Sequence, residues 1–375
     1  MKLLFPFVGD SIGGSHLSTL ELYKILKERE HDVLILLHDM DGPLSKMLKE
    51  SGIEHLELKT AYLAGNSPSI VKILFGMIWN LYPLIKFILK NDIDIVHGND
   101  LRINLTWSVA AKIANAKFIW HQRTILSNSH LWKCITFLCD HFIGISQAVI
   151  DSAPNNMSLD MKSLVYNSFD TNIRFDRINS RNTINKSFAK CQNRLILGCV
   201  GRLVPYKNVD FIIRCMPEII NSCTYPIHLL IVGSGTAEYT AHLKNIVEEL
   251  DLQANVSFTG FVSNPSEFIA GMDVLIAPSG RDAFGRTIIE AMLQLTTVLV
   301  ANKGGHLEIV EDGEDGMVYV ANSKKSFIEK VFALTESESL RQTLASKALE
   351  KSSSTYSKQE LFLAVQKIYK SVIAY

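Results

Sequence analysis

Charged residues and glycines that could bind a phosphorylated ligand are concentrated in the second half of the chain. Gly201 precedes Arg202 and Lys207, directly after the apolar run Leu195–Val200. Two cations at the carboxyl end of a buried strand can neutralise a diphosphate of about two negative charges. The alternative interpretation is two solvated loop charges, but the position after a strand favours phosphate binding.

A second group of candidates lies between residues 278 and 292, where a loop runs into a predicted helix. Asp282 is in the loop, and Glu290 follows one to two turns into the helix. Backbone N–H groups around residues 285–287 can bind phosphate oxygens, while a carboxylate accepts hydrogen bonds from sugar hydroxyls. The neighbours of Glu290 are apolar, so we expect it to be partly buried for a functional reason.

Three glycine-rich turns also follow predicted strands. They are Gly13-Gly14-Ser15, Val232-Gly233-Ser234-Gly235 and Gly304-Gly305 with Glu308. Glycine lets the backbone approach a ligand closely, although a tight turn needs glycine in any case. The second turn resembles a truncated dinucleotide fingerprint, but it does not follow the first strand of its domain. We therefore reject a dehydrogenase and interpret this segment as a turn near a nucleotide.

His121 is the histidine with the best position for chemistry, because it ends the predicted strand Lys117–His121. A lone histidine is more often structural than catalytic. At the carboxyl end of a strand, however, it could contact a sugar hydroxyl or stabilise a transition state. The pair Asp92 and Asp94 could hold a metal ion, but it begins a strand at the opposite edge. We predict solvated charge there.

Short apolar runs alternate with longer amphipathic runs, which predicts parallel sheets covered by helices on both faces. In the first half the predicted strands are Leu3–Val8, Val33–His38, His55–Leu58, Ile93–His97, Lys117–His121 and His141–Ile145, and the predicted helices are Ser15–Glu28, Pro43–Glu50, Ser69–Leu89, Asn104–Ala114 and Leu131–Leu138. In the second half the strands are Leu195–Val200, His228–Val232, Val256–Thr259, Val274–Ala277, Val298–Ala301 and Met317–Val320, and the helices are Val209–Ile220, Glu238–Leu250, Gly285–Leu293, Gly305–Val310 and the terminal helices.

The pattern predicts an α/β protein of two doubly wound, Rossmann-like domains that face each other across a cleft. Ligands in such folds bind at the carboxyl ends of the strands. The polar segment Thr171–Asn193 has little apolar period and is the predicted domain boundary. We place the first domain at residues 1–172 and the second at residues 190–356.

Composition excludes several classes of protein. The chain has 375 residues, with 38 Lys and Arg against 38 Asp and Glu. A net charge of zero argues against a general nucleic-acid binder. Six scattered cysteines without zinc-ligand spacing indicate reduced core cysteines in a cytoplasmic protein. The longest uncharged apolar stretch, between Lys72 and Lys86, has 13 residues, fewer than the roughly 20 that span a bilayer.

From Gly201 to Val320 the sequence resembles glycosyltransferase family 4, the retaining transferases of GT-B fold. The motifs that carry the resemblance are Gly201-Arg202 with Lys207, Val232-Gly233-Ser234-Gly235, Val256-Ser257-Phe258-Thr259-Gly260, Asp273-Val274, Pro278-Ser279, Phe284-Gly285 with Glu290-Ala291-Met292, and Gly304-Gly305 with Glu308-Ile309-Val310. The first half resembles the family less, mainly through Gly13-Gly14-Ser15, His121 and Asn167-Ser168-Phe169-Asp170.

The resemblance implies roles for these residues. Arg202 and Lys207 bind the donor diphosphate and stabilise it as it leaves. Glu290 binds the ribose, while Asp282 and His121 contact the donor sugar. The remaining implied donor-binding residues are Gly14, Gly233, Gly260, Val262, Phe284, Gly285, Arg286 and Thr287. The implied catalytic scheme is front-face attack without a side-chain nucleophile, metal ion or other cofactor. The resemblance also implies that a C-terminal helix, residues 357–375, joins the first, acceptor-side domain.

The resemblance implies a UDP- or GDP-sugar donor and a glycan or lipid-linked glycan acceptor, in bacterial surface polysaccharide or lipopolysaccharide biosynthesis. One departure is Asp282, which stands where the family usually has Glu. Two alternatives stay open: an epimerase of the same fold, and an inactive relative that serves as a scaffold. The helix Ser69–Leu89 could lie on the inner face of the membrane, as a peripheral contact, or could simply pack on the first sheet.

Overall fold

The computed structural model describes residues 1–60, 63–67, 69–127, 132 and 135–374. The chain divides into two compact units. The first unit contains Met1–Ser168 and Lys358–Tyr375, and the second contains Phe169–Ser357. Each unit is built on one parallel β-sheet, as the alternating apolar pattern predicts.

The first unit has a seven-stranded sheet in the order β3-β2-β1-β4-β5-β6-β7. Its strands are β1 Lys2–Phe7, β2 Asp32–Leu37, β3 Leu56–Glu57, β4 Ile95–Gly98, β5 Lys117–Gln122, β6 His141–Gly144 and β7 Lys162–Leu164. Its helices before residue 168 include α1 Gly14–Glu28, α2 Pro43–Glu50, α3 Ile70–Trp79, α4 Leu81–Lys90, α5 Leu101–Ile113 and α6 Gln147–Ser152, with 3-10 turns at Thr136–Leu138 and Leu159–Met161.

The second unit has a six-stranded sheet in the order β10-β9-β8-β11-β12-β13. Its strands are β8 Leu195–Val200, β9 Ile227–Val232, β10 Val256–Gly260, β11 Val274–Ala277, β12 Thr297–Ala301 and β13 Met317–Tyr319. Its helices are α7 Arg177–Ser187, α8 Val209–Ser222, α9 Ala237–Glu249, α10 Pro265–Ala270, α11 Arg286–Leu293, α12 His306–Ile309, α13 Lys324–Glu336 and α14 Glu338–Thr355, with 3-10 turns at Ala189–Cys191 and Pro205–Lys207.

The last helix, α15 Lys358–Ala374, belongs to the first unit and covers one face of its sheet. Phe362 and Tyr369 of α15 are in one apolar cluster with Ile119 of β5. The neighbouring residues Phe118 and Trp120 of β5 are in another cluster, with α5. Alternate residues of a strand point to opposite faces, so this division shows a sheet buried on both sides.

The predicted helix Ser69–Leu89 is two helices, α3 and α4, bent by 41° at Asn80. Pro83 lies in the first turn of α4, where its missing N–H does no harm, but it would break a continuous helix. Among the described residues, no single helix is long and apolar enough to cross a membrane, and α3 and α4 meet that test only as a bent pair.

The segment Thr171–Asn193 is not an irregular linker, because it contains α7 and lies within the second unit. The apolar period of α7 is weak because ion pairs hold this helix against the rest of the second unit. Arg177 and Arg181 of α7 donate to the buried carboxylate of Asp273, at 2.9 and 2.6 Å. That carboxylate also accepts the backbone N–H of Ile196 at 2.7 Å.

Two smaller differences concern the first unit, and a third prediction for it is confirmed. Strand β7 was not expected, since it has three residues and only one is apolar. The predicted helix Leu131–Leu138 lies partly outside the described residues, and its described end is a 3-10 turn over Thr136–Leu138. Asp94 directly precedes β4 and is exposed, as predicted, and its carboxylate accepts a hydrogen bond from the backbone N–H of Lys2 at 2.7 Å.

Candidate donor site of the second unit

The sheet order brings the loops after β8 and β11 together, since these strands are neighbours. Lys207 follows β8 and Asp282 follows β11. The Nζ of Lys207 lies 2.8 Å from each carboxylate oxygen of Asp282. Two predicted site residues, 75 positions apart in the sequence, thus form one ion pair at the carboxyl edge of the sheet, where α/β folds bind ligands.

The Asp282 carboxylate is held in its ionised form. Burial alone would raise its pKa, but the neighbouring His306 imidazole and Lys207 ammonium outweigh burial and lower the pKa of Asp282 to about 2. The Nε2 of His306 lies 3.5 Å from the Oδ2 of Asp282. A carboxylate fixed between two donors can still accept a hydrogen bond from a ligand hydroxyl through its remaining lone pairs.

A small pocket joins four of the predicted residues: Arg202, Lys207, Asp282 and Thr287. Gly201 and Ser279 line it as well. Arg202 is exposed, with its Nη2 3.4 Å from the hydroxyl of Tyr206. The pocket therefore combines an accessible guanidinium, a Lys–Asp ion pair and the first turn of α11.

Packing requires a glycine at position 233, in the loop after β9. The N–H of Gly233 donates to the carbonyl of Gly260 at 3.0 Å, which joins the loops after β9 and β10. A Cβ on Gly233 would lie 1.9 Å from the carbonyl oxygen of Gly201. Gly260 has φ +73° and open space beside it, and Val262 is half-buried in the loop that follows. The close approach of the Gly201 carbonyl thus explains the glycine at position 233 without any ligand.

At the start of α11 the side chains are engaged with one another. Gly285, with φ +123°, precedes the helix. Arg286 lies 4.5 Å over the ring of Phe169 and places its Nη2 3.5 Å from the Oε1 of Glu290. Burial raises the pKa of Glu290, and the charge of Arg286 opposes that rise. The sequence analysis assigned Arg286 a backbone role only and missed its side-chain contacts.

Phe284 differs from the other candidates because its side chain is buried. It is 3% exposed, and its ring meets the ring of Tyr356 edge-on at 5.9 Å. Such a residue fixes the loop onto the core, so any contact with a ligand falls to its backbone. The same loop carries Asp282 two positions earlier, which links this packing to the position of the carboxylate.

The candidates Gly14 and His121 belong to the first unit. Gly14 is the first residue of α1. His121 is buried in β5, and its Nδ1 lies 3.0 Å from the Nε2 of His97. The Nδ1 of His97 in turn contacts the hydroxyl of Tyr369. Burial lowers the pKa of both histidines well below the usual value, so both rings are neutral at pH 7. The contact joins His121 of β5 to His97 of the neighbouring strand β4.

His306 is a residue that the sequence analysis missed. It follows Gly304-Gly305 directly after β12, and only the glycine turn had been noted. Its side chain is completely buried beside Asp282. The sequence signal that could have identified His306 was its place in a loop after a strand, at the same edge of the sheet as the other candidate loops of this unit.

The segment that carries this pocket matches a known family. Residues 180–351 match the model described as "Glycosyl transferases group 1". The match lies within the second unit and covers most of it, so that unit contains a segment similar to the group 1 glycosyltransferases. The resemblance predicted from the motifs between Gly201 and Val320 is confirmed.

Curated relatives are consistent with this similarity. The capsular polysaccharide biosynthesis glycosyltransferase CapM of Staphylococcus aureus is 27% identical over 250 residues, 64% of each chain. The chain thus spans just under two thirds of the CapM sequence. An uncharacterized glycosyltransferase of Methanocaldococcus jannaschii is 25% identical over 390 residues, 99% of each chain.

Solved structures share the fold over nearly the whole chain. Anabaena HepE, crystallised in complex with UDP, has a TM-score of 0.83 at 22% identity, covering 99% of this chain and 100% of that one. A glycosyltransferase from Rickettsia africae has a TM-score of 0.84 at 20% identity, covering 99% and 98%. The predicted fold class, a GT-B protein with two Rossmann-like sheets, is confirmed.

Proposed function

We propose that the chain is a retaining, metal-independent glycosyltransferase that moves a sugar from a UDP- or GDP-sugar to a hydroxyl of a glycan or lipid-linked glycan. The observation that carries the proposal is the pocket with Arg202, the Lys207–Asp282 ion pair and Thr287 in the segment similar to the group 1 glycosyltransferases. The UDP complex of HepE supports UDP as the first nucleotide to test. CapM supports a surface polysaccharide as the acceptor class.

The charges of the pocket suit a departing diphosphate. Arg202 is exposed and can turn toward phosphate oxygens, while Lys207 divides its charge between Asp282 and the ligand. Backbone N–H groups at the start of α11 add a partial positive charge. Fixed donors of this kind stabilise negative charge that develops on a leaving group, which is the role a metal ion has in other enzymes.

The proposed reaction breaks the bond between the anomeric carbon and the donor phosphate oxygen. The acceptor hydroxyl forms its new bond on the same face of the sugar, and its proton passes to the departing phosphate. Asp282 would accept a hydrogen bond from a sugar hydroxyl, and Glu290 would accept those of the ribose. Because the new bond forms on the face that the phosphate leaves, the configuration at the anomeric carbon is retained, and no side chain forms a covalent intermediate.

The test is calorimetric titration with UDP, GDP and ADP, each with and without EDTA. We expect one nucleotide to bind equally well in both conditions, and Arg202→Ala to weaken it by about tenfold or more. Arg214→Ala is the matched control, because Arg214 is an exposed arginine of α8 in the same unit. Failure of all three nucleotides to bind, or binding that EDTA abolishes, contradicts the proposal.

Product analysis separates the remaining alternatives. With the donor sugar chosen by titration, NMR of the product should show transfer with retained anomeric configuration. An epimerised nucleotide sugar formed without acceptor would establish the epimerase instead. Nucleotide binding without any turnover, across donors of that nucleotide, would favour the inactive scaffold.

We also propose that the first unit contacts an anionic membrane surface through α3 and α4. The inner face of the pair packs on the core through Ile73, Met77, Leu84 and Ile88. The outer face exposes large apolar side chains: Ile70, Val71, Leu74, Phe75, Ile78, Trp79, Tyr82 and Leu89, between 46% and 76% exposed. One face of the pair therefore packs on the core, as the second interpretation of the sequence expects, and the exposed apolar face supports the proposed membrane contact.

The composition of this face fits lipid headgroups. An exposed apolar patch of this length is unusual on a soluble surface and marks an interaction site. Trp79 and Tyr82 are the residue types that prefer the membrane interface, and Lys72, Lys86 and Lys90 on the same helices can attract anionic lipids. A membrane-borne acceptor would then lie close to the enzyme.

The test is co-sedimentation with vesicles of phosphatidylglycerol and phosphatidylethanolamine. We expect Phe75→Ser and the double charge reversal Lys72→Glu with Lys86→Glu each to weaken binding, with nucleotide affinity unchanged. Phe332→Ser is the matched control, because Phe332 is a similarly exposed phenylalanine on α13 of the second unit. If neither change weakens vesicle binding, the proposal that this face contacts the membrane is contradicted. If the wild-type chain forms a dimer and Phe75→Ser abolishes it, this face instead binds a second copy of the chain.

A further inference from the structure

His306 is enclosed in the candidate donor site without a good hydrogen-bond partner. Its side chain is completely buried. Among the described residues, neither ring nitrogen has a partner of ordinary hydrogen-bond geometry, and the Oδ2 of Asp282 lies 3.5 Å from Nε2. Burying an imidazole in this way costs free energy, so its place beside the carboxylate calls for a functional reason.

Two glycines bring His306 to this position. The N–H of Gly305 donates to the carbonyl of Asp282 at 2.9 Å. A Cβ on Gly304 would lie 2.6 Å from that same carbonyl oxygen, and a Cβ on Gly305 would lie 2.7 Å from the carbonyl oxygen of Ala283. The loop after β12 therefore lies directly against the loop after β11, and His306 is the first side chain that follows the contact.

The imidazole also borders the start of α11. A Cβ built on Gly285 would lie 3.4 Å from the Cδ2 of His306. The ring thus occupies the space between the Asp282 carboxylate and the turn that begins the helix. A smaller side chain would leave room for that carboxylate to rotate away from the pocket.

The two polar neighbours of Asp282, Lys207 and His306, differ in how freely their side chains can move. Lys207 contacts both carboxylate oxygens, but its long flexible side chain would be shared with the donor diphosphate once the donor is bound. His306 has a fixed ring in a closed site and cannot be drawn away by the ligand. It is the partner that remains beside Asp282 when Lys207 turns to the phosphates.

We propose that His306 is a positioning residue, which holds the Asp282 carboxylate in the orientation that the donor sugar requires. The inference rests on the proposed function, since the contact between Asp282 and the sugar belongs to that function. His306 itself touches neither the nucleotide nor the sugar in this scheme. It therefore affects the turnover of the donor and leaves the affinity for the free nucleotide unchanged.

The first experiment compares His306→Leu with His306→Gln and with His228→Leu. His228 is the matched control, since it is an equally buried histidine of the same unit, near the start of β9. We expect His306→Leu to lower kcat for sugar transfer about tenfold to a hundredfold, because a small misplacement of a site group has that effect. Nucleotide affinity should stay within about twofold, and His306→Gln, which keeps an N–H donor, should recover part of the loss.

The second experiment is a double-mutant cycle with Asp282→Asn. If His306 acts through Asp282, adding His306→Leu to Asp282→Asn lowers kcat no further. Additive losses, an unchanged kcat in His306→Leu, or an equal loss of nucleotide affinity would each overturn the inference. These outcomes differ from failure of the proposed function, in which the wild-type chain itself transfers no sugar.

Discussion

Asp282 and Glu290 are carboxylates of one loop and helix, yet their surroundings change their pKa values in opposite directions. His306 and Lys207 lower the pKa of Asp282 to about 2, against the effect of burial. For Glu290, burial prevails over Arg286, and its pKa is raised. Two carboxylates with opposite shifts in one site are suited to different tasks. The ionised form of Asp282 is stabilised by its neighbours, whereas burial destabilises the ionised form of Glu290.

Glu290→Gln should therefore raise stability while it weakens nucleotide binding. A raised pKa in the folded state means that ionisation of Glu290 destabilises the fold, and this cost appears as the pH rises above about 4.5. Gln removes the cost, so the Tm of the variant should exceed that of the wild type at pH 7. The difference should shrink toward zero as the pH falls to about 4.

Thermal melts between pH 4 and pH 8 measure the change in Tm. Calorimetric titration with the nucleotide that the wild type binds measures the change in affinity. Loss of a charged acceptor for ribose hydroxyls should weaken binding about tenfold. Asp312→Asn is a suitable control, because Asp312 is an exposed carboxylate of the same unit, paired with Lys330. A lower Tm at pH 7 for Glu290→Gln would contradict the account.

At the scale of elements, the sequence predicted best those strands whose apolar run has clear ends. Strand β11 has the predicted bounds Val274–Ala277, because Asp273 precedes four apolar residues and Pro278 follows them. Helix α7 was missed because contacts distant in the sequence stabilise it, in place of an apolar period. Its arginines bind Asp273, which is more than ninety residues away. A local pattern cannot report such a partner.

The site was predictable in part for the same reason. Each candidate loop follows a strand that the apolar pattern identifies, so their common edge of the sheet could be inferred. The pairing of Lys207 with Asp282 requires that β8 and β11 be neighbours, and no sequence pattern gives that order. The place of His306 depends in turn on β12 lying next to β11.

Asp273→Ala should detach α7 from the second sheet. The substitution removes the acceptor for Arg177, Arg181 and the backbone N–H of Ile196, and leaves a buried donor without a partner. We expect a loss of ~2 kcal/mol in the free energy of unfolding. Urea denaturation measures it. Glu238→Ala, an exposed acid at the start of α9, should change the same quantity by less than about 0.5 kcal/mol. Equal effects of the two substitutions would argue against this anchor.

At the scale of the whole molecule, the chain leaves the first unit at Ser168 and returns to it at Lys358. Helix α15 then contributes Phe362, Val365 and Tyr369 to the apolar cluster on one face of the first sheet. The sequence analysis placed residues 357–375 with the first domain only through the family resemblance. The structure gives the physical reason, which is an apolar face of the sheet that α15 covers.

Phe362→Ser should destabilise the first unit specifically. Phe362 is 5% exposed, and its loss should cost about 3 kcal/mol or more. Its neighbour Leu363 is 46% exposed, so Leu363→Ser on the same helix should have little effect. Tryptophan fluorescence reads the first unit alone, because all four tryptophans lie before residue 168. We expect Phe362→Ser to lower the denaturation midpoint by this signal, and an unchanged midpoint would contradict the role of α15.

The return of the chain also sets an order for folding during synthesis. The ribosome delivers residues 1–168 first, then the 189 residues 169–357 of the second unit, and only afterwards the helix that covers the first sheet. At about 5–20 residues per second, that interval lasts roughly 10–40 seconds. The second unit can therefore complete its fold before the first does. During this time the part of the apolar face that α15 will cover stays exposed on the nascent first unit, which makes it a natural substrate for chaperones.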